Sequence, residues 1–404
     1  MGAIALAAGA GVVMVVGDPP RAAAAPEVVS RTASGTWIVD GHGFGHGRGM
    51  SQHGARAAAV RGLSAERILG FYYPGTTRAS IGNPMIRVLV NDAAQPFVQL
   101  RPIAGLRVGW TGRGFALPAL AGVQRWQVAA WGGTLRMRYF TRTGWHWYGP
   151  ALPATVTLAA SRGVVRVFRA DRTATDYRGT LVVTRVGSVS RAVNRLPMES
   201  YLRGVVPRES PASWPLQALR AQAVAARTYA YARLANPLSS RYDICRTTAC
   251  QVYGGATNYR TNGTRLSGEQ SSTDTAVRTT AGVILRYAGR TAATEYSSSH
   301  GGWIAYGGRA YLPAKKDPYT AGDPYASWSV RVKTADVGRY FGFRRLDRIQ
   351  VTSRDGAGAY GGRVLGATLT GIDGAGKPRA LAVTGSALRN ALGVRSNYLR
   401  IRTG

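Results

Sequence analysis

Residues 196–231 read LPMESYLRGVVPRESPASWPLQALRAQAVAARTYAY. Two helix-like segments meet there at a corner crowded with proline: Pro207, Pro211 and Pro215. Proline fixes φ and removes a backbone donor, so it stiffens chains and ends helices. Glu209 is the carboxylate in that corner. Beyond Pro215, an Ala-rich run to 234 has helix-forming composition throughout. A single acid held in a stiff corner suits an enzyme that cleaves a glycan with one carboxylate. The same residue also reads as an ordinary first-turn glutamate, favoured by the positive end of a helix dipole.

Upstream the periodicity changes. IRVLVND (86–92), LRVGW (106–110), WQVAAW (126–131), TLRMRYF (134–140), TVTLAA (155–160), VVRVFRA (164–170) and TLVVTRV (180–186) alternate apolar and polar residues. Period two with Gly, Pro and Asp punctuation predicts strands. Residues 85–175 therefore read as a β-rich module, sandwich-like or barrel-like, with scaffold as its default role. Residues 36–80 form a glycine-rich segment with one short helix, N-capped by Ser64 and closed by Gly70. Residues 191–235 read as helical. Strands return from 275, and a helix over Ser386–Leu392 stops before Gly393. The expected fold class is α+β, β-rich with a central helical segment that carries Glu209. The division is 1–25 for export, then 36–80, 85–175, and a core domain at 176–404.

Composition narrows the compartment. An apolar run from Ala3 to Val16 precedes small residues at Ala22–Ala25, as in a signal peptide, although no Lys or Arg precedes the run. The run is shorter than the roughly 20 apolar residues that span a bilayer. Export is expected, with no membrane span left after processing. The net charge of +33 calls for a polyanionic neighbour. No nucleic-acid-binding module is recognisable, so anionic cell-wall polymers are the expected partners.

Cys245 and Cys250 lie close together in DICRTTACQVYGG. In an exported chain an adjacent pair reads as a disulfide. A zinc site and two free thiols remain as alternatives, but zinc wants four ligands and no His stands in this loop. His42, His46 and His53 form H-x3-H-x6-H, another formal zinc pattern. Glycines interleave the first two, and no H-E-x-x-H appears. The expectation is no metal and no cofactor. A serine hydrolase is disfavoured because GMSQHG is not G-x-S-x-G.

Several separated stretches resemble the SpoIID/LytB family. They are NRLPMESYLRGVVPRES (194–210), ALRAQAVAARTYAYA (218–232), CQVYGG (250–255), TAGVILRYAGR (280–290), YSSSHGGW (296–303) and GRVLGATLTG…TGSALRNALGVRSNYLRI (362–401). GHGFGHGRGMSQHGARAAA (41–59), followed by ILGFYYPGTT (68–77), resembles the family's glycine-rich motif. In many relatives that motif follows the serine-rich one. Here it precedes everything, so the family domain reads as reordered, with the two elements meeting only if the N-terminus packs back across the core.

The resemblance implies lytic cleavage of peptidoglycan strands between N-acetylmuramic acid and N-acetylglucosamine, with Glu209 at the catalytic position. Arg208 beside it is a concern, since a close cation lowers a carboxyl pKa. Glu199, in LP-x-E-x-Y-L, reads as structural. The implied glycan groove takes polar and glycine-flanked residues. These are His46, Met50, Ser51 and Gln52; Gln222, Arg227 and Tyr229; Gln251 and Tyr253; and Ser297, Ser298 and Ser299. Arg227 reads equally as a substrate ligand or a brace. Trp303, Tyr73 and Tyr253 stack on sugars or belong to the core. The LytB side of the family enhances an amidase, so a non-catalytic wall-binding protein with a partner hydrolase is the alternative. A polyanion-binding envelope protein is a third reading.

Overall fold

In a computed structural model of the chain, residues 27–91, 95–169 and 171–403 are described. The export segment expected at 1–25 lies outside them. The period-two segments build two large sheets. One has seven strands in the order Ile244–Cys245, Met85–Leu89, Val189–Pro197, Thr180–Val186, Thr155–Ala159, Arg107–Trp110, Arg113–Ala116. The other has eight, in the order Gly144–Leu152, Thr134–Thr141, Arg125–Trp131, Phe97–Leu100, Val164–Phe168, Ala174–Arg178, Thr257–Tyr259, Arg265–Ser267. Alternate residues such as Ile86, Val88, Val128, Leu135, Val165 and Val183 fill one core between them. Strand pairs cross the 175/176 division: Ala174–Arg178 joins Val164–Phe168, and Val189–Pro197 joins Met85–Leu89. The fold is α+β and β-rich.

Five helices set the site. They are α1 (Gln52–Val60), α2 (Ala65–Tyr72), α3 (Met198–Glu209), α4 (Leu216–Ala235) and α5 (Ser271–Thr279). Three differences from the sequence reading have local causes. Residues 191–197 are strand, because VSRAVNRLP places Ser190, Ala192 and Asn194 inward along a paired strand. Gly70 does not close α2, which runs on to Tyr72. Burying Tyr72 offsets the roughly 1 kcal/mol that glycine costs a helix. The glycine-rich motif itself opens α1, whose N-cap Ser51 accepts the Gly54 N–H at 2.9 Å. At the far end a further helix, Gly385–Leu392, stops at Gly393 in the left-handed region (φ 66°) that glycine adopts freely.

The N-terminal segment does return across the molecule. Thr36–Gly41 is the central strand between Trp328–Lys333 and Leu399–Thr403. Trp37, Trp328, Ile349, Leu369, Leu388 and Leu399 form a second core around it. Met50–Ser51 then pairs in parallel with Tyr296–Ser297, and Phe44 and Arg48 bridge to Ser299 and Ala305. Gly49 permits this approach: a Cβ there would lie 1.9 Å from the Glu295 carbonyl oxygen. A third core packs α1 and α2 on α4 through Ala55, Ile68, Tyr72, Ala221 and Val224. Among the described residues, no helix is long and apolar enough to cross a membrane.

Candidate functional site

Glu209 is the last residue of α3. It is not the first-turn glutamate of the bland sequence reading: the proline corner follows it, so the carboxylate sits at the negative end of the helix dipole, where an anion is disfavoured. Its Oε1 accepts the Val252 N–H at 2.8 Å and its Oε2 accepts Gln52 Nε2 at 3.1 Å. Burial raises the pKa above the ordinary 4.5, and the bonds from Val252, Gln52 and Tyr296 pull it partly back. None of the groups acting on this carboxyl is a cation. Arg208 lies against Gly254 and is itself desolvated. Adjacent residues at a helix end diverge, so the Arg208 concern does not reach the carboxylate.

A ring of hydroxyls and amides backs the acid. Gln251 is buried, accepts from Tyr201 Oη at 3.1 Å, and donates to Tyr296 Oη at 2.9 Å and to the Ala226 carbonyl at 3.2 Å. Gln251 thereby ties α3, α4 and the strand Tyr296–Ser297 behind Glu209. The Cys245–Cys250 disulfide closes the loop that delivers Gln251 and the Val252 N–H. Gln222 lies one turn before Ala226 on α4. It is 1% exposed, and neither polar atom of its side chain has a protein partner. Leaving such an amide unpaired costs about 1–3 kcal/mol.

The other sequence candidates divide. Ser51 caps α1 and so aims Gln52 at Glu209. Ser297 Oγ accepts the Gly47 N–H at 3.2 Å, and the Ser298 carbonyl accepts the His53 N–H at 3.0 Å. Ser299 Oγ donates to Asp323 at 2.5 Å and accepts from Gly301 N–H at 3.1 Å. These serines knit the glycine-rich segment to the wall of the site, and Ser297 and Ser299 are buried. His46 accepts the Arg48 N–H at 3.0 Å. Burial, then the nearby Arg48 and His300, lower its pKa to about 3. Tyr229 is half-buried on α4.

Arg227, Tyr253 and Met50 are corrected, and Tyr73 falls on the core side of its two readings. Arg227 is wholly buried and grips Glu199 through Nε (2.8 Å) and a terminal nitrogen (2.7 Å), as well as the Val277 and Val283 carbonyls. It braces α3, α4 and α5, and it has no face left for a sugar. Glu199 is occupied as its counter-ion. Tyr253 is 2% exposed and donates to Asn194 at 2.8 Å. Tyr73 is buried with its hydroxyl on the Glu295 carbonyl. Met50 is a core residue.

An aromatic wall beside Gln52 escapes the sequence reading. His53 packs edge-on against Trp214 (5.0 Å between centroids) and Tyr325 (5.4 Å), and Tyr325 meets Phe44 at 5.1 Å. All four rings are part-exposed. Trp214 belongs to the very corner quoted first. Phe44 and His53 come from the glycine-rich motif and Tyr325 from far downstream, and no local pattern joins these three places.

The histidines do not converge on a metal. His42 Nδ1 bonds the Ala326 carbonyl at 2.7 Å and its ring packs on Tyr360 and Tyr398, while His46 and His53 have the partners given above. Among the described residues, no three His, Cys, Asp or Glu side chains are placed to hold a metal ion. The disulfide consumes both thiols. This donor set does not fit zinc.

Residues 187–287 match the family model described as SpoIID, stage II sporulation protein. The chain is 41% identical to the amidase enhancer of Bacillus subtilis over 135 residues, 32% of this chain and 16% of that protein. It is 38% identical to an uncharacterized protein of Brachyspira hyodysenteriae over 31% of this chain and 32% of that one. It is 30% identical to stage II sporulation protein D of Bacillus subtilis over 34% of this chain and 43% of the relative. The chain thus spans less than half the length of each of these relatives.

Proposed function

We propose, from the match of residues 187–287 to the SpoIID family model, that the chain is an exported lytic transglycosylase of the SpoIID/LytB family acting on peptidoglycan strands at the cell wall. The observation that carries this reading is the state of Glu209: one carboxyl, raised in pKa by burial, free of cations and held by Val252 and Gln52. Ordinary glycosidases use two carboxylates and a water. Here Glu209 in its acid form protonates the oxygen leaving between N-acetylmuramic acid and N-acetylglucosamine. The resulting carboxylate takes the proton from the muramyl C6 hydroxyl, whose oxygen closes a 1,6-anhydro ring. No water is consumed, and the acid is regenerated. A pKa raised by burial moves the group in the direction that a residue acting first as acid and then as base requires. The wall of Trp214, His53, Tyr325 and Phe44 supplies stacking contacts of the kind pyranose rings take.

The name of the 41%-identical relative, amidase enhancer, favours a second reading: wall binding that assists a partner hydrolase without cutting glycan. Product analysis separates the two. Purified strands, intact and stripped of stem peptides, are incubated with the protein and with Glu209→Gln, and 1,6-anhydro-muramyl ends are sought by mass spectrometry. The enzyme reading requires such ends with the wild type and their loss in the variant. Sedimentation of both proteins with wall and no new ends gives the place to the enhancer reading.

A further inference from the structure

Between Asp92 and Asp171 the chain carries no Asp or Glu, yet ten arginines fall in that interval. The interval builds one end of the eight-stranded sheet and lies outside the matched domain at 187–287. Its last strand, Gly144–Leu152, is the sheet's edge. On this strand and its neighbour, Arg136 and Arg138 alternate outward, and Trp145 and Trp147 answer them from the edge: Arg138 pairs with Trp147, and Phe140 with Trp145. Core residues Leu135 and Met137 occupy the opposite face.

Large apolar side chains on a sheet edge are normally avoided, because they invite aggregation. Here Trp131, Trp145 and Trp147 are 59%, 37% and 40% exposed. They are laced with cations. The Arg136 guanidinium lies 4.5 Å from the Trp147 ring centroid, and Arg138 lies 4.5 Å from Trp145 and 5.4 Å from Trp147. Trp131 adjoins Trp147 at 5.6 Å. The face continues through Arg125, over Phe168 at 5.0 Å, into a depression also lined by Gln99, Arg169 and Arg172. Arg138 Nε already donates to Gln127 Oε1; the remaining N–H groups of Arg136 and Arg138 are planar donors of the kind that make bidentate bonds to an oxyanion.

We propose that this Trp/Arg face of the strands Arg125–Trp131, Thr134–Thr141 and Gly144–Leu152 is a second glycan-binding site, built for a uronic-acid polysaccharide. Exposed indoles need flat sugar faces, which a glycerol-phosphate chain lacks. Arg136 and Arg138 stand about 7 Å apart along the strand and each touches an indole, so the acidic group must lie on the stacked ring itself. A carboxylate on every successive ring meets that arrangement. The site is independent of Glu209 and tethers the protein to an acidic polymer, whatever reaction the other site performs.

The test uses the full-length protein and calorimetric titration with oligogalacturonate, its fully methyl-esterified form and a glycerol-phosphate polymer. Oligogalacturonate is expected to bind, and each of the other two at least about tenfold more weakly, a difference of about 1.4 kcal/mol. The double variant Trp145→Ala/Trp147→Ala is expected to lose at least about tenfold. Arg136→Lys/Arg138→Lys keeps the net charge and removes only the planar donors, and a similar loss is expected. An unchanged thermal midpoint for the lysine variant guards against misfolding. Equal binding of all anionic polymers, affinity untouched by the lysine variant, or no binding of oligogalacturonate overturns the proposal. So does self-association through the Gly144–Leu152 edge, seen by sedimentation and abolished by the tryptophan variant.

Discussion

Removal of the Glu199 carboxylate tests which of the two acids in α3 is structural. Arg227 is wholly buried, and among the described residues Glu199 is its only anionic partner, at 2.8 and 2.7 Å. Glu199 also accepts the Gly282 N–H at 3.1 Å. The remaining contacts of Arg227 are to the carbonyls of Ala223, Val277 and Val283 and to Thr280 Oγ1, at 3.2–3.5 Å. Neutral oxygens at that range cannot neutralise the cation. Breaking a buried pair by removing one partner costs about 3–5 kcal/mol. The carbonyls soften the loss, so Glu199→Ala should lie near the lower end, about 3 kcal/mol. That is roughly a hundredfold in the folding equilibrium. Replacing both partners by apolar residues, Glu199→Leu with Arg227→Met, should recover most of it, because no charge is then stranded. Urea unfolding of the three variants gives the free energies, and anhydro-muramyl ends released per folded molecule give the activity. The reasoning fails if Glu199→Ala changes stability by less than about 0.5 kcal/mol, the level of an ordinary surface substitution. It fails equally if that variant stays stable while cleavage disappears, for then Glu199 and not Glu209 is the acid.

The Gln52 bond favours the ionised form of Glu209, so Gln52→Ala should raise its pKa further and move the alkaline limb of kcat/KM to higher pH; an acidward move in a pH–rate profile contradicts the geometry. Because burial raises the pKa of Glu209, its contribution to stability is complete below the ordinary glutamate value of 4.5 and is lost as pH rises through the raised one. Glu209→Gln should therefore gain on the wild type across that window and hold the gain above it, and urea midpoints that stay parallel across the window would rule this out. Saturating chelator should leave glycan cleavage unchanged, since among the described residues no donor cluster fits zinc; loss of cleavage restored by added zinc would reverse that conclusion.

Much of the architecture is legible in the chain because its causes are local. Strands such as Thr134–Thr141 and Thr180–Val186 announce themselves by alternation, since the pleat sends neighbours to opposite faces. The long helix α4 follows from its alanines, and the stop at Gly393 from the one residue that enters the left-handed region freely. The strand at 191–197 misleads because alanine and arginine suit a helix as well as a strand, and only pairing with 180–186 decides. Helix α1 hides behind glycines that serve the preceding turns. Gln251 is a pocket candidate on sequence and a hydrogen-bond hub in space; Arg227 and Tyr253 look like ligands and are buried.

The sequence by itself determined the fold class, the family resemblance, the basic character and the choice of Glu209 as the acid to watch. Composition, periodicity and motif are properties of neighbours along the chain. Only the tertiary structure decided what Glu209 is. Its partners stand 157 residues away at Gln52 and 43 residues away at Val252. The aromatic wall beside Gln52 is assembled from three separate segments, around 44–53, 214 and 325. A pKa and a binding surface depend on what surrounds a group in space, and burial and distance come into existence only when the chain has folded.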